Sequence, residues 1–277
     1  MSATTKPIGV SEHYARQDLA QTILAALERA GKELDALTID DLAPVDQFHV
    51  RGKQSTIELA ERAALLPGQR ILDVGGGLGG PARTLAATFG CDVCVVDLTE
   101  EYCRVGEMLT ARVGLSDRVR HQHGNALALP FADASFDVVW TQHSTMNIED
   151  KPGIYAEFQR VLRHAGRYAS QEIMQGENTP VHFPAPWARD PAISFLQSPQ
   201  AIRRLIEAAG FTALHWFDET AKARAWYDKR LLAVTAGLPP LGIHLLLGED
   251  MIAMSHNQIR NLNESRIAIV QAVFQKT

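Results

Sequence analysis

The sequence is poor in the features that would place a 277-residue chain in several large functional classes. Its three cysteines, Cys91, Cys94 and Cys103, are too few for a disulfide framework and suit a reducing environment. Cys91 and Cys94 have C-x-x-C spacing, but on a strand they point to opposite faces, which spoils chelation and disulfide geometry. No run of Lys and Arg stands out and the net charge is −5, which argues against a footprint for nucleic acid or an anionic membrane. No stretch approaches the length of a membrane span, and the first eight residues lack the apolar segment of a secretory signal, so the expected compartment is the cytosol. His121 and His123 share a strand face without a third ligand, and no metal is expected there. There is no G-x-S-x-G elbow and no G-x-x-x-x-G-K-[ST] phosphate loop.

The sequence does contain a dense glycine run. Arg70-Ile-Leu-Asp-Val-Gly-Gly-Gly-Leu-Gly-Gly-Pro81 reads as a buried strand, a turn and a helix start. Glycines so placed let the backbone turn tightly and approach a ligand where a Cβ would clash. From there strands and helices alternate: helix 81–88, strand 92–97, helix 100–113, strands 119–123 and 136–141, helix 154–162 and strand 166–174. Helix 199–209, strand 211–217 and a final alternating strand 266–275 follow, and the last is expected at a sheet edge. Such alternation implies right-handed crossovers onto a parallel sheet covered by helices on both faces.

The remaining segments read as additions to that core. Residues 14–30 have one helical period, residues 40–53 fit neither period, and a helix over 55–66 leads into the glycine strand. Residues 175–197 are rich in proline and aromatics, and such a segment within a regular α/β fold reads as a functional flap. Residues 219–264 are expected to be largely helical with a break at 237–242. The expected division is a single domain: a helical cap over 1–66, a core over 67–174, a flap over 175–197, and further core over 198–277 carrying the helical insertion.

Gly75, Gly77 and Gly80 satisfy G-x-G-x-x-G, and Asp97 ends the next strand, where it could bind a ribose hydroxyl. That pattern fits an NAD-dependent oxidoreductase. Asp73 precedes the glycines and suits a ligand with an ammonium group better than a pyrophosphate. Together with Gly124-Asn-Ala126, Leu129-Pro-Phe131 and Phe136-Asp-Val-Val139, the chain resembles the class I S-adenosylmethionine-dependent methyltransferases. The resemblance implies a Rossmann-like, mostly parallel seven-stranded sheet whose last strand is antiparallel. It implies that Asp73, Gly75, Gly76, Gly77 and Gly79 hold the methionine end of S-adenosylmethionine and that Asp97, followed by Leu98, takes the ribose diol. Asn125, where relatives usually carry Asp, and Ala126 would flank adenine, with Gln142 near the sulfonium. The product would be S-adenosylhomocysteine. A non-catalytic regulator binding the same cofactor is the third alternative.

Asp46-Gln-Phe-His-Val-Arg-Gly52, Thr141–Asp150 and Phe183-Pro-Ala-Pro-Trp-Ala-Arg189 are similar to the branch containing sarcosine/dimethylglycine, phosphoethanolamine and quinone methyltransferases. A small-molecule acceptor follows from that likeness, with N-methylation slightly favoured over O- or C-methylation. His143 is the first candidate to orient or deprotonate it, with His49 closing over the same pocket. Met146, Asn147, Phe183 and Trp187 could line the wall, and Arg51 or Arg189 could hold an anionic group. The helical insertion could cover the pocket or make a homodimer contact.

Overall fold

The computed structural model describes residues 9–14, 16, 18–234 and 239–277. Before the sheet come α1 (Val10–Tyr14), α2 (Leu19–Arg29), α3 (Ile39–Asp46) and α4 (Gly52–Arg62). The core follows as β1 (Arg70–Val74), α5 (Gly80–Phe89), β2 (Asp92–Asp97), α6 (Glu100–Arg112), β3 (Val119–His123), β4 (Phe136–Gln142), α7 (Lys151–Val161) and β5 (Leu162–Gln175). The chain closes with α8 (Pro199–Ala208), β6 (Phe211–Asp218), α9 (Thr220–Val234), α10 (His244–Leu247), α11 (Met251–Asn263) and β7 (Ile267–Lys276).

Among the described residues these strands make one seven-stranded sheet in the order β3-β2-β1-β4-β5-β7-β6. The strands from β3 to β5 pair in parallel, whereas β7 is antiparallel to both β5 and β6. Alternate residues of each strand serve opposite faces. Leu72 packs with Ile154, Phe158 and Ile206, and Ile71 packs with Leu59, Ala82 and Leu85. Order therefore reverses between β1 and β4, and the carboxyl ends of these strands open a crevice of the kind in which α/β sheets bind ligands.

Three expectations change. The final strand is not at the edge and its burial does not alternate: β7 lies between β5 and β6 and is buried almost throughout, as an interior strand covered on both faces must be. The edge is β6, which is largely exposed. The helix expected over 14–30 is α2, which begins only at Leu19, after Asp18 in the left-handed region at φ 52°; the short α1 precedes it. Residues 40–53, expected to be irregular, contain α3 and the start of α4; Thr38 and Asp41 form a reciprocal capping box that closes α3 despite Pro44 inside it. The expected break at 237–242 lies in part outside the described residues.

Candidate functional site

The turn after β1 is shaped by its lack of side chains. Gly75 and Gly77 have φ of 72° and 56°, where other residues are strained. A Cβ on Gly75 would run into Ser144, and one on Gly76 would lie 2.6 Å from Asp73 Oδ2. Asp73 itself is buried with Oδ2 unpartnered, and burial, helped by nearby Asp97, pushes its pKa up to about 8. Asp97 accepts hydrogen bonds from the backbone N–H of Gly77 at 2.9 Å and of Thr99 at 2.8 Å. Burial raises its pKa, and these bonds oppose the rise.

These groups border a cleft with about 1130 Å³ of empty space. Asp73, Gly75, Gly76, Gly77, Asp97, Leu98, Asn125, Ala126, Gln142, His143, His49 and Asn147 all line it. Gly79 does not; it sits behind the turn, where a Cβ would meet the His121 ring. Asn125 Oδ1 accepts from the Leu127 backbone N–H at 2.9 Å, so it shapes its own turn while facing the cleft. Among the lining residues that escaped sequence reasoning are Tyr14, Phe48, Tyr102 and Ser144. The first three form an aromatic wall, with Tyr14 6.4 Å from Phe48 and 6.1 Å from Tyr102 between ring centroids. Nothing in a single sequence separates such aromatics from core residues; Phe48 and Ser144 at least lie within the motif segments.

A second cavity, with about 1280 Å³ of empty space, meets the first at Phe48, His49 and His143. The two histidine rings are 6.3 Å apart and nearly perpendicular. His143 is held at φ 55° by its N–H bond to Gln171 O at 2.9 Å. Its Nε2 is buried without a partner, and burial and then His49 push its pKa well below the ordinary value. His49 Nε2 lies 3.0 Å from Gly52 O, which can only accept, so Nε2 carries the proton and Nδ1 is left as an acceptor. Burial pushes the His49 pKa down to about 4. Both rings are therefore neutral near pH 7. Gln142 Oε1 accepts from Trp140 Nε1 at 2.9 Å and Thr56 Oγ1 at 3.0 Å, leaving its Nε2 buried and unpaired. Beneath the loop, buried Glu172 accepts from the N–H groups of Ser144 and Thr145, both at 3.2 Å, and fixes the turn that carries His143.

The flap reaches the second cavity through Pro186, but the flap residues expected at the site lie elsewhere. Trp187 is buried and donates to Ser194 Oγ at 2.9 Å, in a cluster with Met146 and Ile193. Phe183 packs edge-on against it at 6.4 Å. Arg189 pairs with Asp250 at 2.8 Å. None of Met146, Phe183, Trp187 and Arg189 lines either cavity. Asn147 reaches the first cavity but spends its amide as a tie: Nδ2 donates to Trp187 O and Ile193 O, each at 2.8 Å, and Oδ1 accepts from Tyr14 OH at 3.1 Å. Arg51 is buried against Glu58 and Glu219, which occupy its guanidinium. The cysteines are unpaired, and among the described residues no group of three or more His, Cys, Asp and Glu could hold a metal.

Comparison with known proteins agrees with this geometry. Residues 72–170 match the family model described as a methyltransferase domain. The sterol 24-C-methyltransferase of Eremothecium gossypii is 36% identical over 120 residues, 43% of this chain and 32% of that protein. The sarcosine/dimethylglycine N-methyltransferase of Halorhodospira halochloris is 26% identical over 190 residues, 69% of this chain and 67% of that one. The chain spans about a third to a half of the length of several curated relatives it matches. The geranyl diphosphate C-methyltransferase of Streptomyces coelicolor A3(2), solved with Mg2+, geranyl-S-thiolodiphosphate and S-adenosylhomocysteine, superposes over 100% of both chains with a TM-score of 0.69 at 17% identity, a likeness of fold. Residues 72–170 thus resemble a methyltransferase domain, and they sit in a sheet of Rossmann-like order.

Proposed function

We propose that the chain catalyses transfer of a methyl group from S-adenosylmethionine to a small-molecule acceptor. The observation that carries this reading is the buried, unpartnered carboxylate of Asp73 beside a glycine cradle that side chains would fill. An ammonium group placed there would supply the missing partner of Asp73, and the open backbone of Gly75 to Gly77 leaves room for a ligand. The residues present thus fit the cofactor, and the methyltransferase-domain match points to the same one. When bound, the cofactor supplies an electrophilic methyl: the acceptor's lone pair bonds to that carbon as the carbon–sulfur bond breaks, its electron pair staying on sulfur.

In this reading Asp73 and the Gly75 to Gly77 backbone hold the amino-acid end and Asp97 the ribose diol. Asn125 and Ala126 would border the adenine, with Tyr14, Phe48 and Tyr102 supplying an apolar wall in the same cleft. The chemistry asks the protein for alignment and exclusion of water more than for acid catalysis. His143 Nε2 lies unpartnered at the junction of the two cavities and, in the Nδ1–H tautomer, takes the acceptor's proton or orients the group that bears it. Among acceptor atoms an amine nitrogen is favoured by the relative that matches the larger share of this chain, an N-methyltransferase by name. Cytosolic location belongs to the same proposal; among the described residues no helix is long and apolar enough to cross a membrane.

Incubating the chain with methyl-labelled S-adenosylmethionine and a panel of amines, phenols and quinone precursors tests the reading. Label transfer to one acceptor class is expected. Tight binding of S-adenosylhomocysteine with no transfer to any of them would favour a non-catalytic cofactor-binding regulator, and stabilisation by NAD alone would favour an oxidoreductase.

A further inference from the structure

The second cavity differs in kind from the first. Its wall comes from α3 and the loop after it, from Ile173 at the end of β5, and from the insertion, with Trp226, Tyr227, Met251 and Ile259 among the contributors. Among the described residues no Asp or Glu lines it, and the one Lys or Arg that does, Lys53, is paired with Asp40. Burying an unpaired charge in such surroundings is costly. A zwitterionic amino acid would enter with an ammonium that meets no carboxylate and a carboxylate that meets no free guanidinium, Arg51 being held by Glu58 and Glu219. Trp226, Tyr227, Met251, Ile252 and Ile259 make the cavity's wall largely apolar, which suits an acceptor with an apolar body. Few polar atoms in its lining are buried without a partner: His143 Nε2 at the junction and Gln258 Oε1 on α11, while His49 retains an acceptor at Nδ1.

We infer that this cavity takes an uncharged, largely apolar acceptor carrying a single nucleophilic hydroxyl or weakly basic amine, with that group at His143 and its apolar body against Trp226, Tyr227, Met251 and Ile259. The inference rests on the methyl-transfer reading for its place in catalysis and departs from the amino-acid acceptors named for one relative. As the nucleophile bonds to the methyl carbon, its proton passes to His143 Nε2 and the electrons of the broken carbon–sulfur bond stay on sulfur.

Calorimetry on the full chain saturated with S-adenosylhomocysteine tests it, with 1-naphthol and sarcosine as probes. Saturable binding of 1-naphthol at least tenfold tighter than that of sarcosine is expected. Ile259→Asp, and independently Ser255→Asp at a half-buried lining position, should each weaken 1-naphthol at least tenfold and leave S-adenosylhomocysteine affinity within twofold. Sarcosine binding as tightly as 1-naphthol, or 1-naphthol binding that neither substitution changes, overturns the assignment. Failure of the unmodified chain to bind S-adenosylhomocysteine would instead overturn the methyl-transfer reading.

Discussion

The two cavities that meet at His49 and His143 are built by different means. The one on the glycine turn is made from strand ends, bare backbone, buried Asp73 and half-buried Asp97, fixed by the register of β1, β2 and β4. The one under the insertion is made largely from side chains of helices and loops outside the regular alternation, and among the described residues it carries no acid. A site at the strand ends can be written into the core, because the positions that border it are also those that make the sheet. A site under the insertion depends on the additions to that core.

The sharpest way to separate the two cavities is Gly75→Ala. Its Cβ would meet Ser144 at a positive φ, so S-adenosylhomocysteine affinity should fall more than about 100-fold, while 1-naphthol binding measured without cofactor stays within threefold. Equal loss of both ligands would show that the cavities are not independent.

Asp73→Asn should act through charge. Asp73 has a folded-state pKa near 8 and Glu172 one near 7, both set mainly by burial and both above the ordinary carboxylate range of roughly 4. The folded protein therefore binds more protons than the unfolded chain between about pH 4 and 8, and unfolding free energy falls as pH rises through that window. A bound ammonium reverses the Asp73 share, so stabilisation by S-adenosylhomocysteine should grow with pH up to about 8. In Asp73→Asn the cofactor-free protein should melt higher than the unmodified chain at pH 8, yet bind S-adenosylhomocysteine about 10- to 100-fold more weakly, the loss of one charged hydrogen bond. A variant with unchanged melting and unchanged affinity would remove Asp73 from the site.

At the junction, His143→Asn keeps a residue type that tolerates φ 55° and removes the imidazole. Turnover should fall about 100-fold, at the low end for loss of a general base, with S-adenosylhomocysteine affinity within twofold. Full activity on the true acceptor would leave His143 only a place in the loop. The smallest effect belongs to Arg189→Ala, which removes a pair with half-exposed Asp250 outside both cavities. A stability change of about 0.2–1 kcal/mol and turnover within twofold are expected; a large rise in KM would return Arg189 to the acceptor site.

What the sequence revealed follows the same division. The glycine run, Asp73, Asp97 and the Asn125 segment were legible because each needs a special backbone or a charge at a fixed distance from a strand end, and the structure brings them, Gly79 and Gly80 apart, around one cleft. The place of β7 was not legible: a continuous apolar run such as Ile-Ala-Ile-Val does not say which neighbours cover it. Trp187 and Phe183 were singled out for their aromaticity, yet that same property buries them against Met146 and Ile193 and keeps them from the cavities. Trp226 and Tyr227 line the second cavity from α9, and nothing in local pattern distinguishes them from packing residues. Long-range contact, set by how the insertion folds back over the strand ends, decided which aromatics reach the cavity.

The most direct measurement is a calorimetric titration of the purified chain with S-adenosylhomocysteine at pH 8. The glycine-turn cavity predicts saturable binding of one ligand per chain, tighter at pH 8 than at pH 6. No detectable heat up to high micromolar ligand, or an affinity that falls as pH rises, would contradict it.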